Sequence, residues 1–186
     1  MSVDFFWNRK CLAAFLAWAC LALLLSSGCA FHYVNQTSLD RAQVQEEKIQ
    51  RIAVLAFDNP PLNLQAGLHI SRLFELYLLQ TGLYKIAERG QVENVLRERG
   101  IMISPAGPLV NLQQLGDALQ VDGIILGSVS QYSRRDMAFT ARLISVKSGL
   151  VLWSVSETGG NPFLPVSRVA QLAVISSVRD LQARLK

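Results

Sequence analysis

The sequence is poor in the residues on which most enzyme chemistry depends. Its 186 residues include two histidines and three cysteines, and GxGxxG, P-loop, HExxH and CxxC patterns are all absent. Dinucleotide, nucleotide-phosphate and zinc chemistry therefore have no motif to rest on. His32 falls in a polar N-terminal stretch, so a Ser-His-Asp site would have to be built on His69, which sits in a helical pattern where histidine is ordinarily a structural or surface group. The carboxylates are scattered, and Glu46-Glu47 lack partner ligands at a useful spacing, so neither a metal nor a cofactor is expected. Charge is also scarce: 17% of residues are charged and 51% hydrophobic, which excludes a disordered chain. The net charge of +4 is too small a surplus to imply a nucleic-acid partner.

Long apolar runs are equally scarce after the first 28 residues, although the mean hydropathy is positive at +0.26. The excess is local. Cys11 to Leu25, CLAAFLAWACLALLL, follows Arg9-Lys10 and precedes Ser26-Ser27-Gly28, which is the charged, apolar and small-residue order of a secretory signal and is shorter than a membrane span. Ser26-Ser27-Gly28-Cys29 resembles a bacterial lipobox, in which the cysteine becomes the first mature residue and carries the lipid. Cys11 and Cys20 leave with the signal, so lipidation of Cys29 also accounts for what would be an unpaired thiol in an exported protein. Two or more acyl chains give stable attachment without crossing the bilayer. Ala30, where aspartate would signal inner-membrane retention, implies the periplasmic face of the outer membrane. Loss of residues 1–28 removes Asp4, Arg9 and Lys10, leaving 16 basic against 13 acidic residues, or +3.

Residues 30–48 show no sustained period and read as a tether whose extended reach is at most about 60 Å at about 3.3 Å per residue. Phe31 and Tyr33 beside the lipid have three readings: headgroup-level anchors, contacts to a neighbouring subunit, or part of a mobile tail. From Gln50 the pattern predicts strand 51–57, helix 65–80, strand 83–88, helix 90–99, and helix 111–119 with Asn111 as N-cap. Strands 123–132, 138–146 and 150–156 and helix 166–185 follow. The order β-α-β-α-α-β-β-β-α describes a single α/β domain over 49–186, a mixed sheet with flanking helices. Asp58, at the carboxyl end of the first strand, is either a ligand-binding residue or a cap for the turn before Asn59-Pro60-Pro61.

Four segments in order, IAVLAFD (52–58), YKIAER (84–89), LGDALQVDGIILGSV (115–129) and RLISVKSGLVLWS (142–154), resemble the signature segments of the curli-secretion (CsgG-like) lipoprotein family. That resemblance implies an outer-membrane lipoprotein that acts without catalysis. The pore-forming members add two amphipathic hairpins per subunit, which need roughly 40 further residues in strands of about 9–11. The stretches without a predicted element are too short for them, so the chain looks like a poreless, shorter member of the kind that serves Pel-type exopolysaccharide export.

The partners implied are copies of itself in a ring, an outer-membrane barrel export protein, and the polysaccharide. An alternative of similar fold is a periplasmic adaptor that regulates a cell-wall synthase or another secretion complex. Helix 65–80 is apolar over more than one face, which suits either a subunit interface or a helix buried within one domain. Trp153 is either a core residue or an outward anchor at the membrane interface. By the same resemblance Asp117, Asp122 and Asp136 are candidates for an acidic lumenal surface, each otherwise an ordinary solvated carboxylate.

Overall fold

The computed structural model describes residues 33–38, 47–101 and 109–185, with side chains described over 47–101 and 112–185. Six strands form one mixed sheet: β1 Tyr33–Ser38, β2 Arg51–Val54, β3 Lys85–Ile86, β4 Gly123–Tyr132, β5 Asp136–Ser145 and β6 Val151–Gly160. Among the described residues four helices accompany them: α1 Ala66–Gln80, α2 Arg89–Arg99, α3 Leu109–Leu119 and α4 Val166–Arg184. Strand order across the sheet is β1-β6-β5-β4-β2-β3. Pairings at the β2 side, with β3 and β4, are parallel, and those from β4 through β5 and β6 to β1 are antiparallel. The expected α/β class and mixed sheet agree with this architecture.

Period-2 alternation divides β5 between two faces. Met137, Phe139, Ala141 and Leu143 are buried beneath α1 and α4, together with Ile125 and Val129 of β4 and Trp153 and Val155 of β6. Phe74 of α1 sits at the centre of this layer, its ring 5.8 Å from Phe139 and 6.4 Å from Trp153. On the opposite face α2 and α3 cover the β2–β4 half: Val92, Leu112, Leu115 and Leu119 pack with Ala53, Leu55, Ile124, Leu126 and Ile144. Leu112, Leu115 and Leu119 recur at the i, i+3, i+7 spacing of one helical face. The remaining half of that face carries Thr140, Ser156 and Thr158, polar and at least partly exposed.

Several boundaries differ from the sequence reading for identifiable reasons. The stretch read as a tether contributes β1, which adds to β6 with Tyr33 opposite Gly159 and Ser38 opposite Ser154. β6 correspondingly runs four residues past the expected end, because Glu157 to Gly160 pair with β5 on one side and Glu157 to Gly159 with β1 on the other. β3 shrinks to two residues at the sheet edge. Asn111 is not an N-cap: α3 begins at Leu109, so position 111 is already helical, whereas a cap needs extended backbone. Helix α2 ends as expected at Gly100, whose φ of +60° favours glycine.

Candidate functional site

Past the carboxyl end of β2 the chain stays with the sheet for a few residues. The Leu55 N–H donates to the Ile125 carbonyl at 2.9 Å, and Asp58 bridges Ser128 by donating to Gly127 and accepting from Val129. The loop then folds back onto α1. Asn59 Oδ1 accepts the Gly67 N–H at 2.7 Å, and a Cβ on Gly67 would lie 1.9 Å from the Phe57 carbonyl oxygen. Only glycine permits so close a crossing of helix over strand.

This approach leaves an open groove of about 290 Å³ between the start of α1 and the end of β4, lined by Asn63, Gln65, Leu68, His69, Arg72 and Tyr132. It lies where open α/β sheets commonly bind ligands, beyond the carboxyl end of a strand. The His69 ring meets Tyr132 edge-on, with 6.0 Å between centroids and 73° between planes. Burial, and secondarily the positive charge of Arg72, hold the imidazole below its ordinary pKa. Its Nε2 is buried with no hydrogen-bond partner among the described residues. Asp58 is exposed, and partial burial raises its carboxyl above the usual value.

No hydroxyl, thiol or carboxylate hydrogen bonds to His69 among the described residues, so a nucleophile, base and orienting acid are not assembled there. No group of three or more metal-ligating side chains occurs among them either. Asp58 acts through its backbone in the bridge to Ser128. The groove's contributors lie 60 positions apart in the chain, and sequence reasoning missed Arg72 and Tyr132 because nothing local marks them as neighbours.

The three aspartates considered for a lumenal surface are not brought together. Asp117 is exposed in the last turn of α3, and Asp122 precedes β4 at the same end of the sheet. Asp136 opens β5 at the other end, roughly 30 Å away along a ten-residue strand at about 3.3 Å per residue. Asp122 is moreover committed to the backbone: its Oδ2 accepts the N–H groups of Gln50 at 2.9 Å and Arg51 at 2.8 Å.

Trp153 is fully buried, with its indole N–H donating to Asp180 Oδ2 at 3.0 Å. Of its two readings, core replaces membrane anchor, because β6 turns this position towards α4. Cys29 and Phe31 lie outside the described residues, and Tyr33 is described only as the first position of β1.

Residues 50–138 match the family model of the curli production assembly/transport component CsgG. No curated protein sequence matches the chain. Among solved structures, the PelC dodecamer from Paraburkholderia phytofirmans aligns with a TM-score of 0.60 at 18% identity, over 81% of this chain and 97% of that one. Lipoprotein GNA1162 from Neisseria meningitidis aligns at 0.54 and 19% identity, over 72% and 96%. The LpoB C-terminal domain from Escherichia coli aligns at 0.50 and 12% identity, over 65% and 95%. With its mixed sheet, its helices on both faces and its match over 50–138, the chain has a CsgG-like fold of the kind seen in the PelC structure.

Proposed function

We propose that the chain is a lipid-anchored, non-enzymatic subunit of a homo-oligomeric ring at the periplasmic face of the outer membrane. There it guides an exopolysaccharide of the Pel type towards a separate outer-membrane barrel. The observation that carries this reading is the likeness to the PelC dodecamer, which extends over nearly the whole of that protein's chain. A second observation supports assembly. α1 buries Ile70, Phe74 and Leu78 against the sheet but leaves Leu76 46% and Leu79 61% exposed on its outer side, with Leu172 of α4 37% exposed. That is apolar surface beyond what covering one sheet requires, and a head-to-tail contact with a closing rotation turns such surface into a ring.

Two features support an accessory role over a pore. Strands β4, β5 and β6, each ten residues long, are committed to the central sheet. The internal segments outside the described residues, 39–46 and 102–108, are each shorter than the about 9–11 residues of one membrane strand. The adaptor alternative is disfavoured because β1 begins four residues after Cys29, leaving no long stalk to reach across the periplasm.

Sedimentation of the lipidated full-length protein in detergent tests the proposal. A closed oligomer of defined mass is expected, dissociating when Leu76 and Leu79 are both replaced by glutamate. A monomer at all concentrations would count decisively against a ring.

A further inference from the structure

The sheet register fixes where the chain enters the fold. Tyr33 lies opposite Gly159, and Gly160 lies opposite Asp136, so the start of β1, the end of β6 and the β4–β5 turn share one end of the sheet. The other loops at that end are held to it by named bonds. Asn161 N–H donates to the Arg135 carbonyl at 3.2 Å, and Asn161 Oδ1 accepts the Phe163 N–H at 2.7 Å. The loop after β2 arrives there too, Asn63 lining the same groove as Tyr132, the last residue of β4.

Large apolar and basic side chains project from these loops. Leu62 is 100% exposed, Leu64 79% and Phe163 78%, greater exposures than those of Leu79, Leu83, Leu150 and Val151 elsewhere on the surface. Arg134 and Arg135 form the turn between β4 and β5, Arg72 lies in the second turn of α1 and Arg168 in the first turn of α4, all four exposed. Asp58 and Asp136 are the acidic residues on these loops among the described residues, and Asp136 Oδ2 receives the Ser133 hydroxyl. Isolated exposed leucines need no explanation, but two leucines and a phenylalanine on neighbouring loops, with arginines beside them, have the composition of a surface that enters headgroups: apolar tips for the acyl boundary and cations for phosphate.

The geometry points to this end, with Leu62, Leu64 and Phe163 at its tip and Arg134 and Arg135 beside them, as the surface that docks on the bilayer carrying the lipid anchor. The inference rests on lipidation of Cys29. Three residues separate Cys29 from Tyr33, a reach of at most about 14 Å over the Cα steps between them, so an anchored chain has little freedom to turn any other end towards the membrane. The opposite end, with the β5–β6 turn at Lys147-Ser148-Gly149, then faces the periplasm.

A single-cysteine labelling experiment tests it. The mature sequence has no cysteine apart from Cys29, so Leu62→Cys, Phe163→Cys and, as the distal control, Lys147→Cys each introduce one labelling site. The full-length lipidated proteins, labelled with an environment-sensitive fluorophore, are reconstituted into vesicles of phosphatidylethanolamine and phosphatidylglycerol with and without brominated lipid. Labels at 62 and 163 are expected to shift to the blue on reconstitution and to lose most of their emission to brominated lipid, while the label at 147 does neither. Arg134→Glu with Arg135→Glu is expected to lessen the quenching at 62 and 163. Quenching at 147 alone, or at none of the three in acylated protein, overturns the orientation. Emission at 62 and 163 that is blue-shifted in vesicles yet unquenched by brominated lipid overturns it in favour of a protein partner at this end. An unacylated Cys29 by intact mass removes the lipid reading itself, and the orientation with it.

Discussion

Asp122 and Arg51 are joined twice across 71 residues: the Asp122 carboxylate accepts the Arg51 N–H at 2.8 Å, and the Asp122 N–H donates to the Arg51 carbonyl at 2.8 Å. The same carboxylate takes the Gln50 N–H at 2.9 Å. It therefore fixes the start of β2 against the start of β4, the parallel pair on which the rest of the sheet is built. Replacing Asp122 by alanine is expected to cost about 1–3 kcal/mol, since charged acceptors of backbone N–H groups are worth more than neutral ones. Urea denaturation checks this, and Asp122→Asn is expected to recover part of the loss. A purely lumenal aspartate would leave the midpoint unchanged in both variants.

Gly67 and Gly116 both sit where a side chain does not fit, but the obstacles differ. At Gly67 a Cβ meets the Phe57 carbonyl oxygen at 1.9 Å, and at Gly116 it meets the Val146 side chain at 2.3 Å. Gly67→Ala is expected to destabilise by about 3 kcal/mol or more, or to prevent folding, with no second change restoring it, because the obstacle is backbone. Gly116→Ala is expected to be rescued in part by Val146→Ala, which removes the obstacle at the cost of a smaller core. Additive losses in a double-mutant cycle for 116 and 146 would contradict the contact.

How much of this was legible in the sequence depended on how local the determinants are. Strand β4 was legible to the residue, because GIILGSVSQY runs between a turn and a polar Ser133-Arg134-Arg135 corner, and α4 was legible from its helical spacing after Pro165. Strand β1 was not: YVNQTS has no alternation of its own, and its partner, β6, is more than a hundred residues away. The polar tail of β6 was missed for the same reason. Glu157 belongs there only because Ser177 of α4 donates to its Oε1 at 2.8 Å inside the core. The roles of Asp122 and of the Arg72–Tyr132 groove are likewise products of tertiary register, which composition does not encode.

Trp153 gives a spectroscopic check on its reassignment to the core. Trp7 and Trp18 lie in the segment expected to be removed, so Trp153 would be the one tryptophan of the mature chain. Its emission is expected to be blue-shifted, protected from acrylamide, and unchanged when vesicles containing brominated lipid are added. Asp180→Ala leaves the indole N–H buried without its acceptor, which is expected to cost about 1–3 kcal/mol. Trp153→Ala, which empties the space beside Phe74, is expected to cost about 3–5 kcal/mol. Quenching by lipid would restore the interfacial reading.

The pH dependence of stability isolates His69. Its pKa in the folded protein is depressed below the ordinary 6.5 by burial and by Arg72. Between the depressed value and 6.5 the unfolded chain therefore binds more protons than the folded one, and stability rises with pH through that window and falls on acidification. Asp58 and Glu75 act with the opposite sign at lower pH, because burial raises their carboxyls above 3.8 and 4.5; each holds its proton more tightly when folded. Comparison of wild type with His69→Gln at each pH separates the contributions. The wild-type urea midpoint is expected to drop on going from about pH 7.5 to about pH 5.5, and the variant is expected to drop less, since glutamine carries no proton into the groove. Parallel curves for the two proteins would mean that His69 is as well solvated as in the unfolded chain, which its buried Nε2 contradicts.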